Sequence, residues 1–201
     1  MINSYPFTEL CPIGYVFYVS PHVGQRFSTY YGQTYVPNHF TDGILNRIGS
    51  GNYSNYVADF NARHPISAPL TVTFLSKKLG SDTAYVKVHV ALEQSLPAGH
   101  TIYIGLWEDN VVVGGTYGST PVRVLERDLA TTDLTISSSN QTQDFEYTFN
   151  TQTTWVPANL GVTAWVQGPT SEREVHNAAA GKFDNVAVSP TSLGRVKAIF
   201  N

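Results

Sequence analysis

A mainly β chain, built as an antiparallel β-sandwich with a small α/β unit ahead of it, is the fold class this sequence predicts. Three observations carry that expectation. Short alternating segments recur along residues 66–181; in 82–92 Ala84, Val86, Val88 and Val90 fall on one face and Tyr85, Lys87 and His89 on the other, the pattern of a half-buried antiparallel strand. Turn signals separate the segments at Pro97-Ala98-Gly99, Glu108-Asp109-Asn110 and Gly168-Pro169, a spacing typical of an immunoglobulin-like sandwich. Helical periodicity is convincing in one place, where Tyr53, Tyr56, Val57 and Phe60 form a single apolar stripe.

The 201 residues divide into 1–65, a small α/β unit; 66–181, the sandwich; and 182–201, a strand-forming tail. In the first unit, 14–23 (GYVFYVSPHV) reads as a buried strand and 25–31 as a short helix. Asp42-Gly43 marks a turn, Asn52 or Ser50 can cap the helix that follows, and Pro65 ends it. In the sandwich, strands are expected over 68–76, 82–92, 100–107, 143–150 and 160–167, with weaker ones near Val111, Val122, Leu134 and Ile136. Residues 172–180 resume the sheet with Val175 turned inward. In 160–167, Val162, Ala164 and Val166 oppose Thr163, Trp165 and Gln167, so Trp165 is either exposed or covered by a neighbouring unit. The tail holds two more alternating runs, 185–189 (NVAVS) and 195–200 (RVKAIF).

Composition narrows the function. Charged residues make up 13%, about half the ~25% of ordinary soluble domains; Ser, Thr, Asn, Gly and Tyr replace them, which suits an extracellular or cell-surface β protein. The net charge of −3 comes without a basic cluster, so no nucleic-acid footprint is present. No run has the length of a transmembrane segment, and the opening MINSYPFTEL does not read as a signal peptide.

The run Trp165-Val166-Gln167, a short loop and Glu174-Val175-His176-Asn177-Ala178 resembles the end of the C-terminal domain of the Omp28-related family of secreted and outer-membrane proteins. Those proteins carry a thioredoxin-like domain ahead of their sandwich. The order of elements in 1–65 resembles the second half of such a domain, with Tyr35-Val36-Pro37 at the position of its usually cis proline and Cys11-Pro12-Ile13-Gly14 at its redox motif. Gly14 stands where the second cysteine belongs, so the resemblance implies a truncated thioredoxin-like remnant.

Chemistry-bearing motifs are sparse. The single cysteine, Cys11, has no resolving partner, which argues against a thiol-disulfide oxidoreductase. The six histidines show no His-x-x-x-His spacing, and no metal or other cofactor is expected. Glu108, Asp109 and Asn110 could offer oxygens to calcium but are more simply turn formers. Glu126, Asp128 and Asp133 are not paired by any visible pattern. Asn140 and Asn52 head glycosylation sequons. Trp107, Tyr117 and Trp165 would be the stacking residues of a glycan- or protein-binding surface.

The reading these features support is a non-catalytic extracellular structural subunit that assembles with identical copies into a fibril or surface layer by strand addition. The strand material would come from Tyr15, Phe17 and Val19 or from Val196, Ala198 and Phe200. A surface binding module is the alternative, and a vestigial oxidoreductase the third.

Overall fold

In a computed structural model, residues 5–7, 9–49, 53–114 and 121–183 are described. Seven strands form the sandwich. β3 (Leu70–Leu79), β4 (Thr83–Leu92) and β7 (Thr142–Asn150) make one sheet in the order β3-β4-β7. β5 (Thr101–Glu108), β6 (Leu125–Asp133), β8 (Leu160–Gln167) and β9 (Val175–Lys182) make the other in the order β6-β5-β8-β9. All pairings within these sheets are antiparallel. This three-on-four arrangement is the immunoglobulin-like sandwich the alternation predicts.

The core lies between the sheets. Ala84, Val86, Val88 and Val90 from β4 are fully buried against Ile102, Ile104 and Leu106 of β5 and Val162, Ala164 and Val166 of β8. β8 is buried on both faces. Its inner side chains enter this core, and its outer ones, Thr163, Trp165 and Gln167, lie beneath the N-terminal unit.

That unit holds a helical segment, Gly24–Tyr30, a hairpin of β1 (Asn38–Thr41) and β2 (Leu45–Ile48), and helix α1 (Tyr53–Arg63). The Val36–Pro37 bond is cis. Along the apolar stripe of α1, Phe60 packs on Tyr5 and Tyr56 on His39. Arg47 from β2 grips Asp59 through Nε and Nη2 at 2.5 and 2.6 Å.

Four expectations change. Residues 14–23 do not form a buried strand. Gly14 makes one parallel bridge to Leu125, after which the chain turns at residues 16–20, with Ser20 Oγ accepting the Val16 N–H at 3.0 Å. Tyr15, Phe17 and Val19 are therefore not strand residues. Phe17 packs edge-on against Phe27, and the Tyr15 hydroxyl is buried. Val175 faces the outer cluster of Tyr103, Leu129 and Trp165 rather than the sandwich core. The acid-rich run 125–133 is a full strand, β6, because a register shift at Leu106/Trp107 places Leu125 and Glu126 in succession against buried surroundings. Leu134 follows the strand and packs on the core. Ser50, Asn52, Tyr117, Val196, Ala198 and Phe200 lie outside the described residues.

Candidate functional site

Three surfaces of the sandwich bear on function. The first is the outer face of the four-stranded sheet, which residues 5–7 and 9–31 cover closely. Ile13 sits over Gly105, where a Cβ would lie 2.4 Å from its Cδ1. Trp107 lies flat on Gly161, donates its indole N–H to Thr163 at 3.0 Å and meets the ring of Phe7. Arg26 is 4% exposed. Its guanidinium is 4.3 to 5.6 Å from the rings of Tyr103, Tyr30, Tyr31 and Trp165 and donates to Gln167 Oε1 at 2.6 Å. The aromatic π-faces stabilise a cation that hydrogen bonds satisfy only in part. Trp107 and Trp165 are thus consumed in packing and offer no stacking face to a glycan, which corrects that part of the binding-surface expectation.

The second surface is the pair of long edges, which differ. On the β3/β9 side, Asn177 Nδ2 donates to Leu70 O at 2.8 Å and Lys77 Nζ to Lys182 O at 2.7 Å, tying the two sheets together. On the β6/β7 side the sheets part around a cavity of about 240 Å³. Ile102, Ile104 and Ala130 form one wall, and residues 143–147 with Phe145 form the other. Gly14 bridges β6 only at its start, and β7 pairs only with β4 among the described residues.

The third is a cluster at the end of the four-stranded sheet where β5 begins. His100, 1% exposed, places Nδ1 2.8 Å from Pro97 O. A carbonyl only accepts, so Nδ1 carries the proton and Nε2 presents its lone pair. That Nε2 is 2.8 Å from Nε2 of His176, which is 3.0 Å from Glu172 Oε1. The register explains the position of His176. Val166 opposes Asn177 and Gln167 opposes Val175, so His176 is the extra residue of a β-bulge, a device that re-aims a side chain. Burial first, and then His100, push the His176 imidazole below its ordinary range. Sequence reasoning missed this cluster. The Glu172/His176 spacing of four was a usable signal, but His100 is distant in sequence and the bulge is invisible in it.

The other expected groups are accounted for by packing. Cys11 is half-buried, its thiol pushed up to about 12 by burial and then by Asp42, so it stays protonated and unreactive. Glu108 is held by Arg127, and Asp109 by Arg123. Burial would raise the Asp109 carboxyl, yet its Arg123 and backbone hydrogen bonds hold it below the ordinary range. These side chains are ion-pair anchors rather than calcium ligands. Asn140 sits in an exposed turn and hydrogen bonds to Ser139. His89 pairs with Asp144 at 2.7 Å on the outer face of the three-stranded sheet.

No protein-family model and no curated protein matches the chain. Among solved structures, HBP35 of Porphyromonas gingivalis superposes with a TM-score of 0.52 at 13% identity, covering 69% of this chain and 47% of that one. The chain thus spans about half the length of that structure, and the likeness shows a shared fold. A domain of the outer membrane lipoprotein Omp28 from the same organism gives a TM-score of 0.37 at 16% identity, over 60% of this chain and 91% of that one. A β-glucosidase from Kluyveromyces marxianus in complex with glucose gives 0.33 at 10% identity, over 59% and 14%. Among the described residues no helix is long and apolar enough to cross a membrane.

Proposed function

We propose that the protein is a non-catalytic structural module of the cell surface that joins identical copies by strand addition. The β6/β7 edge accepts, and the C-terminal run 195–200 donates Val196, Ala198 and Phe200 into it. The observation that carries this reading is the unpaired edge: among the described residues β7 pairs only with β4, β6 pairs only with β5 beyond its bridge to Gly14, and a cavity of about 240 Å³ lies between them with Tyr147 exposed on its rim. Exposed edges of this kind are templates for a further strand. The alternation in residues 195–200 supplies one apolar face of matching kind. The low charged fraction supports an extracellular setting, and an unreactive Cys11 supports a role without redox catalysis. Membership of the Omp28-related family and the thioredoxin-like origin of residues 1–65 belong to the same proposal. Glycosylation at Asn140 would be compatible with that setting.

Deleting residues 194–201 tests the donor. Light scattering on a sizing column should show the intact chain as multimers and the shortened chain as a monomer. Unchanged association after the deletion would refute the tail as donor.

A further inference from the structure

We propose that His100, His176 and Glu172 bind one divalent transition-metal ion, with zinc as the expected occupant. Three independent features of the molecule meet here. The first is the donor set: two imidazole nitrogens and a carboxylate whose ligand atoms all lie within 4.8 Å of one another. Two His and one Glu are the protein ligands of open, four-coordinate zinc sites.

The second is preorganisation of His100. Its Nδ1–H donates to Pro97 O at 2.8 Å, and a backbone carbonyl on the far ring nitrogen is the arrangement that orients metal-bound histidines and fixes their tautomer. The ring is buried, so Nε2 is aimed by packing rather than by solvent. The third is the β-bulge at His176. Regular pairing would carry this residue along the strand register; the inserted position turns it to His100 instead.

The distances fit an ion after a small adjustment. Metal–ligand bonds of about 2.0–2.1 Å set the edges of a ligand tetrahedron at roughly 3.3 Å. The two separations from His176 Nε2, 2.8 Å to His100 Nε2 and 3.0 Å to Glu172 Oε1, lie a little under that value, and the other carboxylate oxygen, Oε2, is 3.7 Å from His100 Nε2. A proton shared between the two Nε2 atoms satisfies the metal-free state. The ion takes the place of that proton, drawing the imidazoles apart by about half an ångström, and the carboxylate offsets part of its charge. Glu172 also lines a cavity of about 330 Å³ with Thr170, Ser171 and Phe40. The ion would pin the β8–β9 connection to the start of β5.

The test uses the intact chain without an affinity tag, stripped of metal by a chelator. Titration with zinc chloride, followed by calorimetry, should show one equivalent bound, and the unfolding temperature should rise with zinc concentration. Cobalt chloride should give the visible ligand-field bands of a four-coordinate ion. His176→Ala and Glu172→Gln should each weaken zinc binding by no less than the ~10–100-fold that loss of an outer-shell partner costs. His89→Ala, on the opposite sheet, should leave binding unchanged. Both cluster variants are expected to keep the wild-type far-ultraviolet circular dichroism, because neither side chain lies in the sandwich core. Absence of zinc binding, or binding that survives both cluster variants, would overturn the proposal.

Discussion

The sandwich treats two of its surfaces in opposite ways. On the outer face of β6-β5-β8-β9, side chains that alternation would expose are instead roofed by residues 5–7 and 9–31, with Trp107 fully buried and Trp165 nearly so. At the β6/β7 edge, no described strand covers the free sides of β6 beyond its start and of β7, and a cavity of about 240 Å³ is rimmed by the exposed Thr132, Asp144, Glu146 and Tyr147. The contrast teaches that solvent exposure here is set by which surface the chain itself covers. The covered face uses glycines and a partly satisfied cation to seat its roof; the unpaired edge is the one that the proposed strand addition would fill.

The covered face should be the most sensitive to change. A Cβ on Gly161 would stand 2.2 Å from Trp107 Cη2, and both residues are held by β5–β8 pairing. Gly161→Ala is therefore expected to lower stability by about 3 kcal/mol, the upper range of overpacking, read by urea denaturation with Trp fluorescence. An unchanged midpoint would mean the roof is loose.

Arg26→Ala comes next. It removes a cation from four rings and the donor to Gln167, at a cost of about 2 kcal/mol. The loss should concentrate in the roof. Limited proteolysis should cut within residues 5–64 sooner while the sandwich stays intact; equal protection of both regions would break the distinction between them.

A smaller, pH-dependent effect is expected where the roof meets β6. Glu126 is fully buried and accepts from His22 at 2.7 Å. Burial raises its carboxyl above the ordinary range, and the His22 hydrogen bond and charge reduce that rise. A raised acid holds its proton more tightly in the folded state. Its contribution is fully present below the unfolded carboxyl value near 4.3 and is lost as pH rises through the folded value. Glu126→Gln should match the wild type at pH below that unfolded value and exceed it in stability at neutral pH. A variant less stable than wild type at neutral pH would show that the His22 contact outweighs burial.

Much of this fold was legible because the alternation of β4 maps directly onto its burial, and in β7 Phe145 and Phe149 follow the same rule while Tyr147, of the same parity, stays exposed. The covering of Trp165 was legible as one of two outcomes. Residues 14–23 misled because an apolar aromatic run fits a buried strand and a packed turn equally well, and the choice is made by Gly14 docking on Val124 and Ser20 capping Val16. β6 was hidden by a bulge that breaks its alternation. The His100–His176–Glu172 cluster was hidden for a related reason: a second bulge and a cross-sheet contact create it, and neither leaves a local pattern.

One substitution addresses the β6/β7 edge directly. Thr132 is exposed and lines the cavity without belonging to the core, so Thr132→Lys should change monomer stability by no more than about 0.5 kcal/mol while placing a charge where a strand would enter. Light scattering should give multimers for the wild-type chain and a single species near 22.1 kDa for the variant. A wild-type chain that is itself a 22.1 kDa monomer, or a variant that assembles as the wild type does, would contradict strand addition at this edge.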